Sequence, residues 1–141
     1  MTTPRKHPTL ILLALCLLST LPGCATTSKD KPALITTGLV NIGPARDYPA
    51  GTVSTKFLER YGIAIANDSG PVLAILPHGP KPDIRITWQA AKNQFISSDG
   101  SAYDILGRVL KGPATQPLKG IEATGNPDGT LAVDLDKLYR P

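Results

Sequence analysis

Cysteine and histidine are scarce in this chain, two of each in 141 residues. Cys16, Cys24 and His7 all fall near the N-terminus, so beyond Cys24 only His78 carries a thiol- or imidazole-type donor. A cysteine-rich metal site and a disulfide framework are both excluded from that part of the chain. Aromatic residues are few, one Trp, four Tyr and two Phe, which leaves no stacking platform for bases. The formal net charge is only +4, and part of it sits on Arg5 and Lys6, so nucleic-acid binding has little support. The longest apolar run, Leu10 to Leu18, is about half the roughly 20 residues of a membrane-spanning helix. What the chain has in quantity is turn formers, 14 Pro and 13 Gly. Such a composition favours short elements joined by tight turns over long helices.

The N-terminal segment reads as a targeting sequence. Arg5, Lys6 and His7 give a basic start, Leu10 to Leu18 an apolar centre, and Leu21-Pro22-Gly23-Cys24 the end. That ending resembles the lipobox of bacterial lipoproteins. The resemblance implies cleavage before Cys24, acylation of its sulfur and amine, and a mature protein held to a membrane through that residue. Residues 1–23 are then the signal peptide and residues 24–33 a polar, lipid-anchored tether. Ala25 after the cysteine implies, by the sorting rule of that family, a place in the cell envelope facing the periplasm, at the outer rather than the inner membrane. An ordinary secretory signal with an incidental cysteine is the alternative. Loss of Arg5 and Lys6 lowers the formal charge by two, and no strong basic bias remains.

Residues 34–141 read as one all-β domain. Leu34 to Ile42 predicts a first strand ended by Gly43-Pro44. Val53 to Leu58 and Tyr61 to Ala66 predict two more, separated by Glu59-Arg60. Asn67-Asp68-Ser69-Gly70 is a turn signal, with Pro71 to Leu76 returning as the partner strand. Ile63, Ile65, Leu73 and Ile75 alternate as expected of an antiparallel pair with one buried face. Near the C-terminus, Lys119 to Thr124 and Thr130 to Leu135 flank the hairpin turn Asn126-Pro127-Asp128-Gly129. Leu138 and Tyr139 are expected to pack loosely.

The most informative stretch runs from Trp88 to Leu118, where Gly100, Gly107 and Gly112-Pro113 punctuate short apolar runs. Gly100-Ser101-Ala102-Tyr103-Asp104 and Gly107 to Ala114 (GRVLKGPA) closely resemble the second half of a Rieske iron–sulfur domain. The earlier passage NIGPARDYPAGTVSTKFLERYGIAIAND is similar to the opening strands of Rieske subunits of quinol–cytochrome reductases. The resemblance covers most of residues 39–135. It implies an antiparallel β-sandwich with a small inserted subdomain, residues 76–118, that carries a [2Fe–2S] cluster in the family. It also places four cluster ligands at Gly79, Lys81, Ile96 and Asp99, and a loop-bracing disulfide at Ile84 and Ser98. None of these residues is a cysteine or a histidine, and Fe–S clusters are held by thiolates and imidazoles. His78 stands one residue out of register. No cofactor is therefore expected, and the [2Fe–2S] cluster is implied by resemblance alone. Ile84 and Ile96 are expected to pack together in the vacated space, and the prolines of Pro77 to Asp83 to stiffen the loop. Ser101 and Tyr103 match hydroxyls that hydrogen-bond cluster sulfurs in the family. Here they are expected to hold a turn, with Gly112-Pro113-Ala114 a rigid structural loop.

Three further constellations of polar side chains stand in the same region. His78 with Asp83 or Asp99 offers a poor mononuclear metal site. Ser97-Ser98-Asp99 supplies a nucleophile type, but His78 is the only candidate base and no Gly-x-Ser-x-Gly elbow accompanies it. Lys81, Arg85, Lys92, Arg108, Lys111 and Lys119 could dock an acidic partner or lipid headgroups if they shared a face. The expected function is a non-redox structural or protein-binding module, lipid-anchored and associated with a membrane respiratory complex or another periplasmic protein. The alternative is a Rieske-type electron-transfer subunit of a quinol–cytochrome c reductase, an oxidoreductase component.

Overall fold

A computed structural model describes residues 33–79, 81 and 83–140. The signal segment, Cys24 and the tether up to Pro32 lie outside the described residues, as do Pro80, Pro82 and Pro141. The described chain is all-β, built from three antiparallel sheets and two short helices.

The first sheet joins β1 (Leu39–Pro44), β10 (Thr124–Gly125) and β11 (Thr130–Asp134), with β11 in the middle. Asn126 to Gly129 closes the β10–β11 hairpin, with the Gly129 N–H donating to the Asn126 carbonyl at 3.0 Å. β1 ends at Gly43-Pro44, as the sequence suggests, but includes both residues. It reaches them across a bulge between Asn41 and Gly43.

The middle sheet has the order β2 (Thr52–Ser54), β3 (Ala64–Asn67), β4 (Leu73–Leu76) and β9 (Lys119–Glu122). Between β2 and β3 the chain forms α1 (Leu58–Tyr61), where two strands parted only by Glu59-Arg60 are expected. Leu, Glu and Arg favour a helical turn, and Gly62 at φ +66° ends it in the left-handed conformation.

The register of β3 on β4 pairs Ala64 with Ile75 and Ile65 with Ala74. The four large residues therefore do not share one face. Ile63 and Ile65 pack with Val40, Ile42 and Val133 of the first sheet. Ala64, Ala66 and Ile75 pack on the other side with Ile86, Phe95 and Tyr103. The hairpin is a middle layer buried on both faces, which a pattern of alternating large residues does not reveal when alanine takes the second face.

The third sheet is a meander of β5 (Ile86–Gln89), β6 (Gln94–Ser97), β7 (Ala102–Tyr103) and β8 (Val109–Lys111). It lies within residues 76–118, and its core is completed by the alanines of β3 rather than closed on itself. Trp88 and Phe95, opposite each other in register, meet in a tilted pair with ring centroids 4.8 Å apart and planes at 59°. The chain ends in α2 (Leu135–Tyr139), capped by the Asp134 carboxylate. Leu135 and Leu138 are fully buried, so this tail is part of the core and not loosely packed.

Candidate functional site

Turns at one end of the third sheet, together with the chain leaving β4 and the chain entering β9, enclose an open cleft of about 460 Å³. Leu76, Ile84, Pro113, Ala114, Pro117 and Leu118 give it apolar walls, and His78, Lys81, Asp99, Tyr103 and Lys119 bring polar groups. Three of the four positions at which the resemblance places cluster ligands, Gly79, Lys81 and Asp99, line this one cleft. They are separated by up to 20 positions in sequence, and folding brings them together. Ile96 does not join them. In β6 the inward positions are Phe95 and Ser97, both buried, so Ile96 is turned to the other face of the strand beside Thr87. Ile84 packs into the core under the third sheet without it. The expected Ile84–Ile96 pair is thus not formed, because strand alternation separates Ile96 from the inner face.

The two loops are joined by hydrogen bonds. The Ser98 N–H donates to the Arg85 carbonyl at 2.8 Å, and the Arg85 N–H donates to Ser98 Oγ at 3.1 Å. His78 forms a backbone bridge to Arg85 on the other side. One serine next to the ligand loop therefore braces the same pair of loops for which the resemblance implies a disulfide. Gly79 is packed tightly against Ile84, where an added Cβ would approach Ile84 Cγ2 to 2.8 Å. A donor side chain at position 79 would have to displace the isoleucine. Pro80 and Pro82, on which the expectation of a stiffened loop partly rests, are outside the described residues.

Asp99 and Gly100 form the tight turn between β6 and β7. The Ser97 N–H donates to the Ser101 carbonyl at 2.9 Å, and Asp99 Oδ1 accepts from the Ser101 N–H at 2.9 Å. That backbone donor, with help from the Ser101 and Ser97 hydroxyls, holds the Asp99 carboxyl below its ordinary range. Ser101 is fully buried, and its Oγ accepts from the Ala114 N–H at 3.0 Å. Gly112 lies directly over it at φ +105°, where a Cβ would come within 2.4 Å of Ser101 Cα. Only glycine fits this crossing. The Gly112-Pro113-Ala114 loop is therefore clasped to the Ser101 turn by one hydroxyl and one missing side chain.

Tyr103 is almost wholly buried at the base of the cleft. Burial, then the nearby Asp99 charge, push its hydroxyl up from the ordinary tyrosine value, with the Ser101 hydroxyl acting the other way. Asp104 organises the β7–β8 turn. Its Oδ1 accepts from the Leu106 and Arg108 N–H groups at 3.0 and 2.8 Å, and its Oδ2 pairs with Arg108 Nε at 2.5 Å.

The other constellations disperse. His78 and Asp99 border the cleft and Asp83 does not. Among the described residues no group of three His, Cys, Asp or Glu side chains is assembled to hold a metal. Ser97 Oγ and Ser98 Oγ accept from the backbone N–H groups of Asp99 and Arg85, so both serve loop geometry. Of the six cations, Lys81 and Lys119 reach the cleft, Lys119 donates to the Arg140 carbonyl, and Arg108 is engaged by Asp104. Sequence reasoning missed Ser98 as the clamp. Its only signal in the sequence was that the resemblance implies a loop-bracing disulfide at this position. No family model matches the chain, and no characterised protein matches its sequence.

Proposed function

We propose that the chain is a Rieske-like domain without a cluster, carried on a lipid anchor at Cys24 in the cell envelope, and that it works as a non-redox structural or protein-binding module. One observation carries the reading. The frame around the site is intact, with Ser101, Gly112 and Asp104 each holding a loop, while the donor set inside it is chemically wrong for iron. A cluster iron takes thiolate or imidazole. The residues at the four positions are a glycine, an ammonium, an outward isoleucine and a carboxylate that already accepts from the Ser101 backbone. These residues do not fit the group.

Three antiparallel sheets, with the third seated on the β3–β4 hairpin, support the Rieske-like reading of the fold. The Ser98–Arg85 clamp supports the view that the loops hold their arrangement without metal or disulfide. With the chemistry gone, the cleft and its rim are left for contact with another periplasmic protein or a membrane respiratory complex.

The test is metal content, visible absorption and EPR of the reduced protein, extracted in detergent from an iron-replete host. The expected outcome is a folded protein with no stoichiometric iron and no cluster signal. A stoichiometric iron–sulfur signal would overturn the reading and mean that ligands come from another chain.

A further inference from the structure

Exposed aliphatic side chains are unevenly distributed over the domain. Leu34, Ile35, Leu39 and Leu110 are the large hydrophobics left exposed among the described residues, and the first three fall within residues 33–39. Leu39 is the most open, at 75% of full exposure. Strand alternation explains its direction, since Val40 and Ile42 point into the core and Leu39 and Asn41 point out. It does not explain a leucine there, where a polar residue would be the ordinary occupant.

The segment is fixed in place. The Ile35 N–H donates to the Arg60 carbonyl at 2.9 Å, and the Leu34 side chain lies beside Gly62. At its far end the Gly38 carbonyl accepts from the Leu135 N–H at 3.0 Å. The strip therefore runs from the end of α1 to the start of α2. Beside it, Glu59 and Arg60 border Ala33 and Ile35, and the Arg60 guanidinium extends over the Tyr61 ring, 5.6 Å from the centroid. Aliphatic side chains next to amphipathic cations and rings match the chemistry of a lipid headgroup region.

We propose that the strip Leu34, Ile35 and Leu39 lies on a phospholipid surface and fixes the orientation of the domain there. The inference rests on the reading of Cys24 as a lipid anchor. The chain from Cys24 to Ala33 can span at most about 30 Å, so the strip is never far from the bilayer that holds the anchor. Three aliphatic side chains would bind a membrane weakly by themselves. Tethering makes the contact intramolecular and gives it a high effective concentration. The position of the strip, at the point where the anchored segment joins the domain, is what selects lipid over other occupants.

The full-length chain is produced in a bacterial host, purified, and placed in phosphatidylethanolamine–phosphatidylglycerol vesicles that contain a nitroxide-labelled lipid. A fluorophore is attached at Leu39→Cys, with exposed Lys92→Cys as the reference site, and intact mass on the same sample reads acylation of Cys24. The expected result is several-fold stronger lipid quenching at position 39 than at 92, lowered toward the level at 92 by Leu34→Ser with Ile35→Ser. Equal quenching at both sites in acylated protein overturns the inference and leaves the anchor standing. Shielding of position 39 from an aqueous quencher without lipid quenching also overturns it, because the leader of the chain or a second copy then covers the strip. A Cys24 without acyl chains overturns the anchor reading and this inference together.

Discussion

At the residue scale, the two side-chain choices that hold the cleft together are Ser101 and Gly112. Ser101 is completely buried, so loss of its hydroxyl leaves the Ala114 N–H without its partner. Ser101→Ala is expected to cost about 1–3 kcal/mol, the range for removing one partner of a buried hydrogen bond. Gly112→Ala is expected to cost more, at least about 3 kcal/mol, by analogy with strained or overpacked core positions. Its Cβ has no place to go, because the atom it meets is backbone and not the end of a flexible side chain. Denaturant titration of both variants measures this as a fall in midpoint at unchanged slope. An unchanged midpoint for Gly112→Ala would show that the crossing of the two loops is not as close as described. Both residues were legible in the sequence through the resemblance, but their mutual contact was not. They are eleven positions apart and belong to different turns.

At the element scale, the question is what holds the two loops that border the cleft in place. The Ser98–Arg85 pair of hydrogen bonds answers it on one side and the His78 bridge on the other. Ser98→Ala removes the acceptor of the Arg85 N–H but leaves the Ser98 N–H bond. The expected cost is about 1 kcal/mol of global stability. Hydrogen exchange is expected to accelerate selectively at Arg85 and in the Asp99–Ser101 turn, since loops open locally before the whole domain does. Uniform acceleration across all three sheets would argue that the clamp is no local device. The same scale explains why β3 and β4 were misread. Their period-2 pattern was correct, but register decides which residues share a face. Ile65 and Ala74, opposite each other, face the first sheet, while Ala64, Ala66 and Ile75 receive the third. α1 was read as a break between strands. Its residues have helical preference, yet a four-residue helix is too short to announce itself in sequence.

At the scale of the whole molecule, ionisation bounds the stability from both sides. Asp99 is held below the ordinary carboxylate value of 3.8 chiefly by the Ser101 N–H. Asp128 is held below it chiefly by the Thr130 hydroxyl. A lowered folded value stabilises the fold while the group is charged. That contribution is fully present above 3.8 and is lost as pH falls through the folded values. Tyr48, Tyr103 and Tyr139 are raised above 10.0 chiefly by burial. Their contribution is present below 10.0 and is lost as pH rises through the folded values. The thermal midpoint is therefore expected to be flat across neutral pH and to fall below pH 3.8 and above pH 10.0. Asp99→Asn combined with Asp128→Asn is expected to flatten the acid limb, and a limb of unchanged steepness would assign the loss to other carboxylates.

The sequence alone determined the all-β class of the fold, the positions of most turns and the scarcity of Cys and His beyond Cys24. These depend on local facts: strand periodicity, Gly and Pro at turns, and which side chains exist at all. Tertiary structure decided what those residues do for one another. It turned Ile96 away from the site, placed Ser98 across from Arg85, seated Gly112 on Ser101 and buried the β3–β4 hairpin on both faces. The physical reason is that each of these contacts joins residues distant in sequence, and register and packing, which fix such contacts, are properties of the folded chain as a whole.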